Sequence, residues 1–147
     1  MHELNVGYVL LRLRLEVNEL LFNFRAEYKS RKKRLPPGTI RFYHDVKLKD
    51  VQCGLEKTVF SMQFSTANVK HVNWGKSKRL LNGSLVLLTP DNFNNIYFAT
   101  VACRDERQLS QGIVGIIWEG DRPSSYANVK FLMVECEVYF ESYRYVY

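Results

Sequence analysis

Apolar residues recur at spacings of three and four along the N-terminal segment, where they are Val6, Leu10, Leu13, Val17, Leu20, Leu21 and Phe24. A polar stripe with the same period consists of Arg12, Glu16, Glu19 and Asn23. This pattern predicts an amphipathic helix from about Leu4 to a basic run at residues 29–34. A strand is the competing interpretation, because residues 11–17 also alternate between apolar and charged side chains. The helix is favoured, since the apolar stripe continues through Phe24 and no turn residue follows before Pro36.

The pattern changes to that of β-strands after Pro36, Pro37 and Gly38, which end any helix. Six segments with alternating or continuous apolar residues follow, at residues 39–49, 55–66, 84–89, 96–102, 112–118 and 129–134. Turn-forming residues at 90–95 join the third and fourth segments, which therefore predict a β-hairpin. No helix is predicted between the strands. Five or six such strands indicate a small antiparallel barrel or closed sandwich.

The chain ends with a second amphipathic pattern. One helical face carries Cys136, Tyr139, Phe140, Tyr143 and Tyr147, and another carries Glu137, Glu141 and Arg144. The predicted fold is therefore mainly β with flanking helices, a small antiparallel β-barrel of five to six strands on two amphipathic stalk helices. Its predicted parts are an N-terminal stalk helix and basic joint (1–35), a β-barrel (36–135) and a C-terminal stalk helix (136–147).

Composition restricts the class of protein. The 147 residues suit one domain, and 21 Lys and Arg against 15 Asp and Glu give a formal charge of +6, which favours an anionic partner such as nucleic acid. Three widely spaced cysteines, Cys53, Cys103 and Cys136, argue for a reducing compartment and against a disulfide framework or a structural zinc site. Neither a membrane span nor a secretory signal is expected, because Arg12, Arg14 and Glu16 interrupt the N-terminal apolar stretch.

Two basic clusters are the candidate nucleic-acid contacts. One consists of Lys76, Lys78 and Arg79, just before the predicted hairpin, and the other is the joint with Arg31, Lys32, Lys33 and Arg34. Lysine and arginine bind a phosphate backbone by releasing its counterions, and exposed aromatic rings stack on bases. The candidate rings are Trp74, Phe42, Tyr43 and Tyr97, for which core packing is the alternative. The alternatives for the joint are a solvated helix end and a nuclear import signal.

Catalytic and cofactor motifs are not expected in this chain. Gly75, Lys76 and Ser77 resemble the end of a phosphate-binding P-loop, but that motif needs a glycine where this chain has Lys70. His44 and His71 have no sequence-near partners for a metal or nucleophile site, so a half-buried, hydrogen-bonded side chain is the favoured interpretation of His44. The sequence therefore predicts a binding module rather than a self-contained enzyme.

Several longer motifs resemble a known family. They are W-x-x-SKRLLNGSLVLLTPDNF from Trp74, FATVACRD, GIV and FLMVECEVYFESYRYV, with a weaker match through IRFYHDVKL and the N-terminal helix. They are similar to the segment that precedes the motor in superfamily 1 helicases with NFX-type zinc fingers, relatives of the UPF-type RNA helicases. The likeness covers nearly the whole chain.

The resemblance implies a function. In such ATP-dependent RNA helicases a small β-barrel on two stalk helices leans over the RNA and modulates grip, ATP use and unwinding. The family's ATP and Mg²⁺ sites and its zinc-finger cysteines have no matching positions here. The implied role is an accessory RNA-binding module for single-stranded RNA and a RecA-like helicase core, in cis or in trans. The resemblance leaves RNA surveillance, small-RNA pathways and antiviral sensing open as its setting, in the cytoplasm, the nucleus or RNA granules. The alternative is a protein-interaction domain that docks a helicase core or another partner through its terminal helices.

Overall fold

The computed structural model describes residues 40–135. The predicted stalk helices at 1–35 and 136–147 lie outside the described residues, as do Arg31, Lys32, Lys33 and Arg34. Six strands are present in the described part: β1 Arg41–Cys53, β2 Thr58–Gln63, β3 Leu85–Thr89, β4 Tyr97–Cys103, β5 Ile113–Glu119 and β6 Phe131–Glu135. A short helix, α1 Glu106–Ser110, lies between β4 and β5.

The strands form one antiparallel sheet that closes into a ring. The hydrogen-bonded order is β1-β2-β5-β4-β3-β6, and β6 pairs in turn with β1. The predicted hairpin is confirmed, since β3 and β4 pair from Leu85 with Thr100 to Leu88 with Tyr97. The prediction of a mainly β body with five to six antiparallel strands is likewise confirmed.

The prediction that no helix lies between the strands was wrong, because α1 follows β4. Asp105 caps this helix, as its carboxylate accepts the N–H groups of Arg107 at 2.9 Å and Gln108 at 3.2 Å. Leu109 is fully buried and fixes the helix to the ring. A five-residue helix with one apolar anchor is too short to produce a helical period in the sequence.

The two ends of the ring carry different segments. At the first, which we call the basic end, lie segment 64–84, segment 104–112 and the points where the chain enters and leaves the ring, Ile40 and Glu135. At the second, which we call the arm end, lie segments 54–57, 90–96 and 120–130. The flanking parts of the chain therefore both join the ring at the basic end.

Strand β3 is buried on both of its faces. Val86 and Leu88 belong to the interior core, so Leu85 and Leu87 point outward because side chains alternate along a strand. Leu87 lies in register between Phe98 of β4 and Val134 of β6, and all three are fully buried. This explains the continuous apolar run in β3, where a strand with one wet face would alternate.

Candidate nucleic-acid interface

Segment 64–84, between β2 and β3, contains three of the seven basic residues predicted to bind RNA, Lys76, Lys78 and Arg79. It carries Lys70, His71, Lys76, Lys78 and Arg79, and it contains no aspartate or glutamate. Lys70, His71, Lys76 and Lys78 are exposed, whereas Arg79 is half-buried. The segment is therefore a cationic surface at the basic end of the ring.

Trp74 anchors this segment in the core. The side chain is only 6% exposed, and its ring lies 6.2 Å from the ring of Phe64, measured between centroids. Because both faces of a buried ring are already packed, the base-stacking role predicted for Trp74 is not open to it in this structure, and core packing is its role. Tyr43 is also buried, whereas Phe42 and Tyr97 are half-buried.

The residues around Lys76 form a turn stabilised by Asn73. The Asn73 side-chain oxygen accepts the N–H of Gly75 at 3.1 Å. The Asn73 carbonyl accepts the N–H groups of Lys76 at 3.1 Å and Ser77 at 2.9 Å. Asparagine turns of this kind arise because the short side chain reaches the backbone two residues ahead. The Gly75, Lys76 and Ser77 sequence is thus a surface turn that presents Lys76 to solvent.

Arg104, the residue after β4, holds the turn around Lys76 by three hydrogen bonds to the backbone of residues 74–79. One guanidinium nitrogen, Nη2, donates to the carbonyl oxygens of Trp74 at 2.9 Å and Ser77 at 3.0 Å. Nε donates to the carbonyl of Arg79 at 3.1 Å. The planar guanidinium suits this task, because it offers several donors in a fixed geometry. Sequence reasoning did not single out Arg104, although it lies within FATVACRD.

A carboxylate also borders the turn around Lys76. Glu106 of α1 lies against Gly75, since a Cβ added at Gly75 would be 3.2 Å from the Glu106 carboxylate oxygen Oε2. A nearby negative charge weakens the local attraction for phosphate. Lys78, two residues beyond the turn at Lys76, is accordingly the lysine that we expect to contribute most to an anion site.

A buried carboxylate, that of Glu135, connects segment 64–84 to strand β6. Glu135, which is 4% exposed, accepts the N–H of Leu80 at 2.9 Å and the hydroxyl of Tyr43 at 3.2 Å. Its other partner is the Arg41 guanidinium at 3.5 Å. Leu80 has a positive φ of 50°, so the Glu135 contact helps to hold an unfavourable backbone conformation.

The charges in this network explain the placement of Arg79. Burial, reinforced by the charge of Glu135, raises the pKa of Tyr43, so its hydroxyl remains a donor. The Arg79 guanidinium lies beside that hydroxyl and opposes the increase in pKa. Arg79 therefore supports the interior network, and its half-buried side chain is presented less to a ligand than those of Lys76 and Lys78.

We expect Glu135 to make stability depend on pH. Burial raises the pKa of Glu135 above its ordinary value of 4.5, opposed by the Leu80 N–H and the Arg41 charge. The folded state therefore holds this proton more tightly than the unfolded state. The protonated Glu135 side chain therefore contributes its full stabilisation of the fold below pH 4.5, and this contribution is lost as pH rises through the pKa of the folded state.

Glu135→Gln, which cannot ionise, removes this dependence. The free energy of unfolding of the variant should improve relative to the wild type between about pH 4 and about pH 8, measured by urea denaturation. A difference between the two proteins that stays constant, or that favours the wild type more as pH rises, would contradict the assignment.

Residues 40–135 contain no group of three His, Cys, Asp or Glu side chains that could hold a metal ion. No helix in the same range is long and apolar enough to cross a membrane. His44 is half-buried, as predicted, whereas His71 is exposed.

Comparison with protein families identifies the ring. The model of the ZNFX1 domain matches residues 36–137, a span that includes all six strands and the basic segment. The chain belongs to the ZNFX1 domain family. No solved structure matches this ZNFX1 domain.

Three relatives agree with this assignment. The chain is 42% identical over 111 residues to mouse NFX1-type zinc finger-containing protein 1, a match that covers 73% of the chain and 6% of the relative. It is 39% identical over 138 residues to the human protein of the same name, covering 91% of the chain and 7% of the relative. The third is the fission yeast helicase required for RNAi-mediated heterochromatin assembly 1, 25% identical over 122 residues, covering 81% of the chain and 12% of that protein.

The resemblance to helicases with NFX-type zinc fingers is thus confirmed, and it points to a role associated with a helicase. The chain corresponds to a small part of each relative, 6% and 7% of the two mammalian proteins. The activity of those whole proteins can therefore only be proposed for this chain.

Proposed function

We propose that this ZNFX1 domain is an accessory RNA-binding module of an RNA helicase, which modulates RNA grip and ATP-driven unwinding by a motor outside this chain. The observation that carries the proposal is segment 64–84, a surface with exposed lysines and without carboxylates of its own. The family membership supplies the helicase context. RNA is the anion that best fits both observations.

The held conformation of the segment supports the proposal. Arg104 binds three carbonyls of the turn, and Glu135 binds the N–H of Leu80, so the backbone that carries Lys76 and Lys78 is tied at both sides. A preorganised cationic surface binds a phosphate backbone at a lower entropic cost than a loose loop does. The ligand is single-stranded RNA, with contacts made to phosphates rather than to base edges.

The ends of the ring also favour this arrangement. Ile40 and Glu135 lie at the basic end together with segment 64–84. A helicase core connected through either flank would therefore meet the ring at the end that carries the lysines. Through this geometry the module would act on RNA close to the motor, as an accessory barrel on a stalk would.

The Lys76→Ala and Lys78→Ala double variant tests the proposal. We expect the logarithm of the binding constant for a dodecauridylate to fall less steeply with the logarithm of salt, by about 1.4, since each single-strand phosphate contact contributes about 0.7. Affinity should fall at low salt for all RNA sequences alike. Fluorescence anisotropy from about 50 to about 200 mM salt measures both quantities.

The matched control is Lys49→Ala with Lys57→Ala, which removes the same charge from exposed positions in β1 and in the turn between β1 and β2. The control should change the salt slope by much less than the Lys76 and Lys78 variant does. If the two double variants change it equally, only the net charge of the chain attracts RNA and the basic segment is not a site.

A further inference from the structure

Strand β1 continues beyond its last contact with β6. The β1–β6 pairing ends where Val46 meets Phe131, whereas β1 pairs with β2 from Lys47 to Cys53. Among the described residues, the edge of residues 47–53 that faces away from β2 therefore has no strand partner. Such an edge presents backbone N–H and C=O groups that another chain can pair with.

A cleft of about 640 Å³ lies along this edge. Lys47 and Leu48 of β1 line one side, and residues 126–130, which lead into β6, line the other. The cleft opens because β6 begins at Phe131 and the chain before it diverges from β1. We call the cleft together with the free edge of residues 47–53 the edge groove.

The floor of the edge groove is apolar. Leu48, Tyr126 and Val129 are partly buried and pack against the core. The ring of Tyr126 lies 5.6 Å from the ring of Phe60, measured between centroids. Val51 pairs with Phe60 across the two strands, so the two side chains lie on the same face of the sheet. Val51 and Leu55 are the large apolar side chains that are exposed within residues 40–135, at 40% and 108%; Val51 lies in β1, and Leu55 lies in the turn between β1 and β2.

The charged side chains that line the cleft are both lysines, Lys47 and Lys130, and both are exposed. Lys49 is also exposed on the same strand. Asp50, the carboxylate within residues 47–53, accepts the N–H of Val51 at 2.8 Å. The groove is thus complementary to acidic side chains placed beside an apolar one.

We propose that the edge groove binds an extended segment of a partner protein, which adds as a strand to residues 47–53. An apolar side chain of the segment would lie on Leu48, Tyr126 and Val129, and acidic side chains would lie beside Lys47 and Lys130. The free strand edge favours a peptide over RNA, because peptide backbones match its donors and acceptors. Lysines on an edge strand commonly prevent aggregation, but that role does not account for an apolar cleft beside them.

This inference is independent of the proposed RNA contact, since different residues carry the two: residues 47–53 and 126–130 form the edge groove, and Lys76 and Lys78 make the proposed RNA contact. The probe is a ten-residue peptide of alternating valine and glutamate, added to the full chain. We expect the backbone amide NMR signals of residues 47–53 to shift, with a dissociation constant below about 1 mM, as for a weak peptide site. The same peptide with lysine in place of glutamate should bind at least tenfold more weakly.

Variants and modified peptides separate strand addition from simple charge attraction. Lys47→Glu with Lys130→Glu should abolish binding, whereas Lys70→Glu with Lys78→Glu, an equal charge change at the basic end, should retain most of it. Two further peptides are N-methylated at alternate amides, one at the odd-numbered positions and the other at the even-numbered positions. Only one of the two should lose binding, because alternate N–H groups of a strand face the partner edge.

Three results would overturn the inference. One is the absence of shifts at residues 47–53 at millimolar peptide, and another is equal binding of both N-methylated peptides. The third is that dodecauridylate, rather than the acidic peptide, shifts these amides, which would make the groove an RNA surface.

Discussion

Replacing Gly112 by alanine should destabilise the ring by more than about 2 kcal/mol, because the new methyl group has no space and the backbone conformation is unfavourable for any other residue. Gly112 has a φ of +82°, and a Cβ built there would lie 2.3 Å from the carbonyl oxygen of Phe64. That carbonyl belongs to backbone, which cannot move aside as a flexible side chain does. Phe64 in turn donates its N–H to the Gly112 carbonyl at 2.7 Å, so relieving the clash would also disturb this hydrogen bond.

Urea denaturation of Gly112→Ala measures the loss, and Gly75→Ala is its matched control. At Gly75 the nearest atom is the end of the flexible Glu106 side chain, 3.2 Å from an added Cβ. The control should therefore change the free energy of unfolding by less than about 1 kcal/mol. Equal stability of Gly112→Ala and the wild type would mean that residues 64 and 112 are not in contact as described.

Arg104→Met is the second change with a large expected effect. It removes three hydrogen bonds from a charged donor and leaves the carbonyls of Trp74, Ser77 and Arg79 without that partner. We expect a loss of about 2–4 kcal/mol, since hydrogen bonds to charged groups contribute about 1.5–3 kcal/mol each and part of this is recovered by water. RNA affinity should fall as well, because the turn that presents Lys76 and Lys78 loses its support.

Hydrogen exchange distinguishes local from global effects of this change. The amides of Lys76, Ser77 and Arg79 should exchange faster in Arg104→Met, whereas those of β3 should change least. Arg107→Met, the loss of an exposed arginine three residues later, should leave both sets unchanged. Unaltered protection of residues 76–79 in Arg104→Met would contradict the role assigned to Arg104.

The strands could be predicted because their signal is local. Alternating and continuous apolar runs located all six, and the turn residues at 90–95 identified the β3–β4 hairpin. The predicted first strand ended too early, at residue 49, because residues 50–53 are exposed and pair only with β2. Exposed residues give no apolar pattern, so the last part of β1 could not be recognised from the local sequence. It is a strand because it pairs with β2.

The candidate site was predictable only in part. A run of cations is visible in any sequence, so Lys76 and Lys78 could be proposed from the sequence, but whether a neighbouring tryptophan faces solvent depends on the tertiary structure. Trp74 faces the core. Arg104 and Glu135 lie 30 and 55 positions from the residues they hold, Trp74 and Leu80, and no local pattern marks such pairs.

The position of bound RNA on the chain tests the central claim most directly. Dodecauridylate titrated into the full chain should shift the backbone amide signals of residues 70–80 at low salt, with the largest shifts around Lys76 and Lys78. The shifts should decrease at physiological salt, because phosphate contacts dominate. Shifts confined to other parts of the ring, or no shifts at low salt, would contradict the account of this ZNFX1 domain as an RNA-binding module that acts through its basic segment.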